Sequence, residues 1–293
     1  MKKLLLSLLA LTMVLVMAAC GSSSEDTSGS DNEASAEDKT ITLGVTPWTS
    51  TVPPTEIAKL IFEDMGYTVE ETSADAGSVY VGLSRGDIDV FMDAWLPVHQ
   101  TYLDEYSDSI EETATSYAPA AAGLVVPTYM EDINKVSDLK GKEDMFDNTL
   151  YSIEKGASVT GVLNDAIDQY GLDLKQVNSS EGGMLAQAMK LMQQEEAVLF
   201  YGWRPHTMFN KLDIKILEDD MKVLDTASVH VVTNKELKDN ASDAYEFLSN
   251  WSIPIDDVEA MIKKIEDDGE DPKKVAQEWI DNNQDKVNEM LGK

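Results

Sequence analysis

TITLGVTPWTSTVPPTEIAKLIFEDMGYTVEETSADAGSVYVGLSRGDIDVFMDA, residues 40–94, decides the fold class. Residues 40–47 alternate apolar and polar side chains and run into a turn, the signature of a strand. Pro53 and Pro54 then open a helix that places Ile57, Leu60, Ile61 and Met65 on one face, and Gly66 closes it. Residues 67–72 read as a second strand, a short helical stretch runs to Gly86, and residues 87–94 read as a third strand. Strand and helix alternating in this way imply a parallel sheet covered by helices.

The pattern recurs after Pro127. Residues 149–153 read as a strand. A helix over 158–170 turns Val159, Val162, Leu163, Ala166, Ile167 and Tyr170 inward and stops at Gly171. A second helix over 184–193 aligns Leu185, Ala188, Met189 and Met192, and residues 196–203 return to strand. Asp271 and Pro272 start a helix in the carboxy-terminal third, where Val275, Trp279, Val287 and Leu291 line one side. The chain of 293 residues is long enough for two such units. The expected architecture is α/β and two-lobed, each lobe a mainly parallel sheet flanked by helices, with a ligand cleft between. Lobe 1 is expected to comprise 40–122 plus 233–293, and lobe 2 to comprise 127–227. The apolar stretches 123–126 and 228–232 are expected to be the hinge strands that cross between them.

The first twenty residues have a different character. Lys2 and Lys3 precede an apolar run from 4 to 17, and Ala18 and Ala19 precede Cys20. This resembles a bacterial lipoprotein signal. The resemblance implies that residues 1–19 are removed, that Cys20 is acylated, and that the chain sits on the outer face of the cell membrane. Residues 21–39, GSSSEDTSGSDNEASAEDK, contain no large apolar side chain and read as a flexible polar tether. Cys20 is the single cysteine, so neither an internal disulfide nor a cysteine metal cluster can form. The formal charge of −31 argues against nucleic acid, whose phosphates need a basic face. Its plain meaning is a solvated acidic surface.

Three tryptophans occupy matching places. Trp48 follows the first strand, Trp95 the third, and Trp203 the strand ending AVLFYG. Ligands of open parallel sheets bind beyond the carboxyl ends of the strands. One tryptophan there can be a packing residue at the rim. Three in matching positions, each within two residues of a proline or glycine, suit a cation–π cage. A quaternary ammonium donates no conventional hydrogen bond, and aromatic faces attract its charge while accommodating its methyl groups. Each ring contributes about 1–2 kcal/mol when desolvated, and micromolar binding needs about 8 kcal/mol. Trp251 and Trp279 lie in the helical tail and are assigned to packing.

A second half of the site suits a carboxylate. Gly156, Ala157, Ser158 and Val159 lie between a strand and a helix, where free N–H groups and a partial positive charge meet an anion. Ser158 fits equally as a plain helix cap. His99 follows Trp95 and can donate from its ring, and a lone surface histidine is the alternative. His206 can brace the Trp203 loop, and Tyr117 can wall the cage or simply pack.

These segments together are recognisable. GVTPWTS around Trp48, DAWLPVH around Trp95, AAGLVVPTYM at 121–130 and GWRPHTMF at 202–209 resemble the substrate-binding lipoproteins of glycine betaine ABC importers, the OpuAC and ProX family. The likeness covers essentially all of 40–293. It implies a periplasmic-binding-protein-like fold of type II whose lobes close over the ligand. It also implies that Trp48, Trp95 and Trp203 form the ammonium cage, while N–H groups near Ser158 and Val159 and the ring of His99 hold the carboxylate. Choline-binding relatives have an acidic residue two positions after the first tryptophan. Ser50 stands there, which favours glycine betaine over choline; carnitine and proline betaine are further ligands of the same fold. The implied partners are a betaine ligand, an importer permease and the membrane through the lipid anchor, with the receptor acting as a monomer and without cofactor or metal. A hydrolase is the remote alternative. The sequence contains no Gly-x-Ser-x-Gly, no His-Glu-x-x-His and no phosphate-binding loop.

Overall fold

The computed structural model describes residues 39–224 and 227–293. The expected signal segment, Cys20 and the expected tether up to residue 38 lie outside the described residues. Two five-stranded sheets organise the fold. The first takes β1 (Thr40–Val45), β2 (Thr68–Ser73), β3 (Val90–Leu96) and β4 (Ile110–Ala120) from the start of the chain and β10 (Ala227–Asn234) from near its end. The second holds β5 (Ala122–Pro127), β6 (Thr149–Ser152), β7 (Lys175–Asn178), β8 (Phe200–Trp203) and β9 (Ile214–Ile216).

The two sheets have one plan. The first is ordered β2-β1-β3-β10-β4 and the second β7-β6-β8-β5-β9. In each, the first three strands in this order, starting at one edge, are a parallel strand–helix–strand–helix–strand unit. An antiparallel strand, β10 or β5, closes that unit and pairs with a fifth strand on its far side. The expected alternation is therefore present twice, and the sheets are mixed rather than wholly parallel.

Residues 123–126 and 228–232, read from sequence as crossing strands, sit inside β5 and β10. Each is a member of one sheet. The chain passes between sheets at Ala121 and between Ile216 and Ala227. Leu124, Val125 and Val126 in β5, and Val229, Val231 and Val232 in β10, are buried. That near-continuous burial suits a strand covered on both faces.

The helices follow their local signals. α1 (Val52–Asp64) has proline in its first turn and buries Ile57, Leu60 and Ile61. α2 (Ala76–Arg85) is capped by Asp75, whose carboxylate accepts the Ser78 N–H. The short α3 (Gln100–Glu105) begins after His99. α4 (Val159–Tyr170) buries Leu163, Ala166 and Ile167 and ends at left-handed Gly171. α5 (Glu181–Gln193) starts three residues before the expected position because Ser180 caps it through the Gly183 N–H. Its expected apolar face needs correction. Met184 and Ala188 are buried, whereas Met189 is 41% exposed, because one residue beyond Ala188 turns about 100° around the helix. The strand expected over 87–94 is shifted to Val90–Leu96, and that over 196–203 is confined to Phe200–Trp203.

After α6 (Met208–Lys211), the carboxy-terminal helices α7 (Leu237–Asn240), α8 (Ser242–Ser249), α9 (Ile255–Glu266), α10 (Pro272–Asn282) and α11 (Gln284–Met290) complete the chain. Trp251 and Trp279 pack there, both buried. Their indole N–H groups donate to Ser116 Oγ at 2.8 Å and to Asp257 at 3.0 Å. Among the described residues no helix is long and apolar enough to cross a membrane.

Candidate functional site

The carboxyl ends of β1, β3, β6 and β8 meet at one cavity. Trp48, Trp95 and Trp203 wall it together with Val98, His99, Ile153 and Tyr201, and Ala157, Ser158 and Val159 close the opposite side. Gly156 lies outside that wall and is exposed. A side chain at Gly156 would meet nothing within 4 Å, so small size there serves no close approach.

Each tryptophan is fixed by its surroundings. The Trp48 ring stacks at 6.1 Å on His99, and its N–H donates to Glu154 Oε1 at 2.9 Å. The Trp95 N–H donates to Asp93 Oδ1 at 3.0 Å. Trp203 stacks on Tyr201 at 5.5 Å and meets the edge of His206 at 5.1 Å. Trp95 pairs in the sheet with Val229 of β10, and Trp203 with Ala122 of β5, so both stand beside the strands next to the sheet-to-sheet connections. Gly202 lets β8 lie close to its neighbours. A Cβ there would come within 2.7 Å of Val125 Cγ2 and 3.0 Å of Met208 Sδ.

Asp93 is fully buried behind the cage. It accepts the hydroxyls of Ser50 at 2.9 Å and Thr51 at 2.8 Å besides the Trp95 indole. Burial, only partly offset by those donors, raises its pKa to about 6. Ser50 is thus turned into the fold toward Asp93.

His99 is 2% exposed. Its Nδ1 accepts the Trp95 backbone N–H at 3.2 Å and lies 3.3 Å from the Tyr80 hydroxyl. That leaves the ring proton on Nε2. Burial lowers its pKa to about 3, so at neutral pH it is an uncharged donor. His206 is buried away from the cavity. It accepts the Met208 N–H on Nδ1 at 2.9 Å and donates from Nε2 to Glu181 Oε1 at 3.0 Å, which makes it a brace for Trp203. Tyr117 is not on the cavity wall; it lines a separate surface groove with Ser116 and Ile253.

The side holding Ser158 is the amino terminus of α4. The first N–H groups of a helix lack intrahelical partners, and among the described residues those of Ser158 and Val159 have no backbone acceptor. Among the described residues Ser158 makes no side-chain cap bond and its buried hydroxyl oxygen has no partner. The cavity therefore joins three aromatic faces, suited to a soft cation, with a set of unused donors, suited to an anion.

Ile153 and Tyr201 were not singled out from sequence. Tyr201 was legible in principle: two residues before Trp203 in one strand, it shares that face. Glu154, Asp93 and Glu181 gave no signal, since acids occur throughout so acidic a chain.

Comparison with known proteins places the chain beside one family. The family described as the substrate binding domain of ABC-type glycine betaine transport systems matches residues 39–282. A curated relative, the glycine betaine/carnitine transport binding protein GbuC of Listeria monocytogenes, is 34% identical over 143 residues. That alignment covers 47% of each chain, so the match spans about half the length of the relative. Among solved structures, the glycine/betaine/L-proline-binding protein ProX of Borrelia burgdorferi superposes with a TM-score of 0.81 at 29% identity, over 86% of this chain and 96% of that one. Lactococcal OpuAC, closed on glycine betaine, gives 0.81 at 29% identity over 87% and 100%. A choline binding protein in complex with choline gives 0.80 at 26% identity over 86% and 91%.

Proposed function

Because the chain belongs to the family of substrate-binding domains of ABC-type glycine betaine transport systems, we propose that it is the extracytoplasmic receptor of an importer and that its ligand is glycine betaine. The observation that carries this reading is the single cavity that joins Trp48, Trp95 and Trp203 to the amino terminus of α4. The trimethylammonium group sits among the indole faces. The carboxylate sits against the N–H groups of Ser158 and Val159, with the Ser158 hydroxyl and His99 Nε2–H as further donors. Both ends of a zwitterion are then matched without a formal charge on the cavity wall.

The first sheet with its helices and the second with its helices act as the two lobes. Lobe 1 then takes 40–120 plus 227–293 and lobe 2 takes 122–216, with β5 and β10 inside the lobes and the connections between the sheets as the hinge. Ligand bridges them and shifts an open–closed equilibrium by its greater affinity for the closed form, which the permease recognises. Binding and release proceed without chemical turnover. The receptor acts as a monomer, held at the membrane by acylated Cys20 and the 21–39 tether.

Choline is the second reading, favoured by the near-equal likeness to the choline complex. Choline offers the cage the same cation but leaves the α4 donors without an anion. Titration by tryptophan fluorescence, with glycine betaine, choline and carnitine in competition, separates the two. Glycine betaine displacing choline supports the reading; choline displacing glycine betaine overturns its carboxylate half.

A further inference from the structure

Two of the cage indoles reach carboxylates, but in different ways. Trp95 uses Asp93 of its own strand. Trp48 follows β1 of the first sheet, yet its N–H donates at 2.9 Å to Glu154, which follows β6 of the second. One residue on, the Thr49 N–H donates at 3.2 Å to Glu181 Oε2, the first residue of α5 and also from the second lobe. Glu181 in turn holds His206, which braces Trp203. The Trp48–Thr49 turn is gripped from across the cleft by two acids.

We propose that Glu154 is a positioning residue that makes assembly of the cage conditional on lobe closure. An indole attracts cations at its face and repels them at its N–H edge. Glu154 holds that edge outward and so keeps a face toward the cavity. Its oxygen comes from the opposite lobe, so the bond exists only when the lobes are together. A ligand that needs the face therefore favours closure, and closure improves the face for the ligand. Glu181 seats the turn that carries the ring. This inference rests on the clamp reading above, and its test has a readout that does not depend on the ligand.

The test uses the full-length chain in detergent, with glycine betaine as probe and choline in parallel. Stopped-flow fluorescence should show Glu154→Ala releasing the probe roughly tenfold faster, the scale of one hydrogen bond to a charged group, with association within about twofold of the parent. Glu154→Gln, whose amide oxygen still accepts the indole N–H, should recover most of that loss. In a Trp48→Phe background Glu154→Ala should add nothing. In protein labelled with 15N-tryptophan, the Trp48 indole resonance, assigned by its loss in Trp48→Phe, should move upfield in Glu154→Ala and stay near its place in Glu154→Gln. Unchanged release together with an unmoved resonance overturns the proposal, as does a Glu154→Ala effect of equal size in the Trp48→Phe background. If neither probe binds the parent chain, the ligand reading fails separately, and the indole resonance still decides the contact.

Discussion

Asp93→Asn should stabilise the protein at neutral pH. The carboxylate is fully buried, and its pKa is raised from 3.8 to about 6 by loss of solvent. Below pH 3.8 the group is neutral in both folded and unfolded chains and costs nothing. Between 3.8 and about 6 the unfolded chain gives up the proton and the folded chain keeps it, so stability falls as pH rises. Above 6 the loss is complete at about 3 kcal/mol, from roughly two pKa units at 1.36 kcal/mol each. Asparagine resembles the neutral acid: its oxygen can still accept the Trp95 N–H, while the Ser50 and Thr51 hydroxyls rotate to accept from its amide. Allowing about 1 kcal/mol for that rotation, the variant should gain about 2 kcal/mol at pH 7.5, or roughly 4–8 °C in Tm for a chain of this size. Thermal unfolding of both chains at pH 4, 5, 6 and 7.5 provides the assay, and their difference cancels the other titrating groups. A gap that opens between pH 4 and 6 and then levels is the expected result. An Asn variant less stable at pH 7.5, or a gap independent of pH, refutes the reasoning.

Trp203→Ala removes one face of the cage and its stacking on Tyr201. Loss of a desolvated cation–π contact worth about 2 kcal/mol should weaken glycine betaine about 30-fold by calorimetry, with the folded circular dichroism spectrum retained. His99 should remain uncharged from pH 8 down to pH 5 with its proton on Nε2, as its lowered pKa of about 3 requires; 15N spectra of labelled histidine check this, and a midpoint near the ordinary 6.5 contradicts it. Gly202→Ala would bring a methyl within 2.7 Å of Val125. It should destabilise the chain by about 1–3 kcal/mol and weaken ligand binding by displacing Trp203, as denaturant unfolding and calorimetry would show.

The strand–helix alternation was legible because each βαβ segment carries its own punctuation: Pro53 and Pro54 ahead of α1, Gly86 after α2, Gly171 after α4. β4 was not legible, because IEETATSYAPA lacks a regular apolar alternation. β7, KQVN, is four residues long with none fully buried. The membership of β5 and β10 could not be read locally, since an apolar strand does not reveal which sheet covers it. That Trp48, Trp95, Trp203 and His99 share one cavity was legible because strand ends are where such sheets bind. The carboxylates that orient them were not, because selecting Glu154, Asp93 and Glu181 from 54 acids needs the third dimension.

The central claim is that the cavity selects a cation through aromatic faces rather than a shape through apolar contact. Calorimetry of the full-length chain against glycine betaine and 3,3-dimethylbutanoate measures that difference directly, since the second compound has the same outline and carboxylate with carbon in place of the ammonium nitrogen. Three aromatic contacts at about 1 kcal/mol or more each predict that glycine betaine binds at least about 100-fold more tightly. Equal affinity for the uncharged-head analogue would contradict the account.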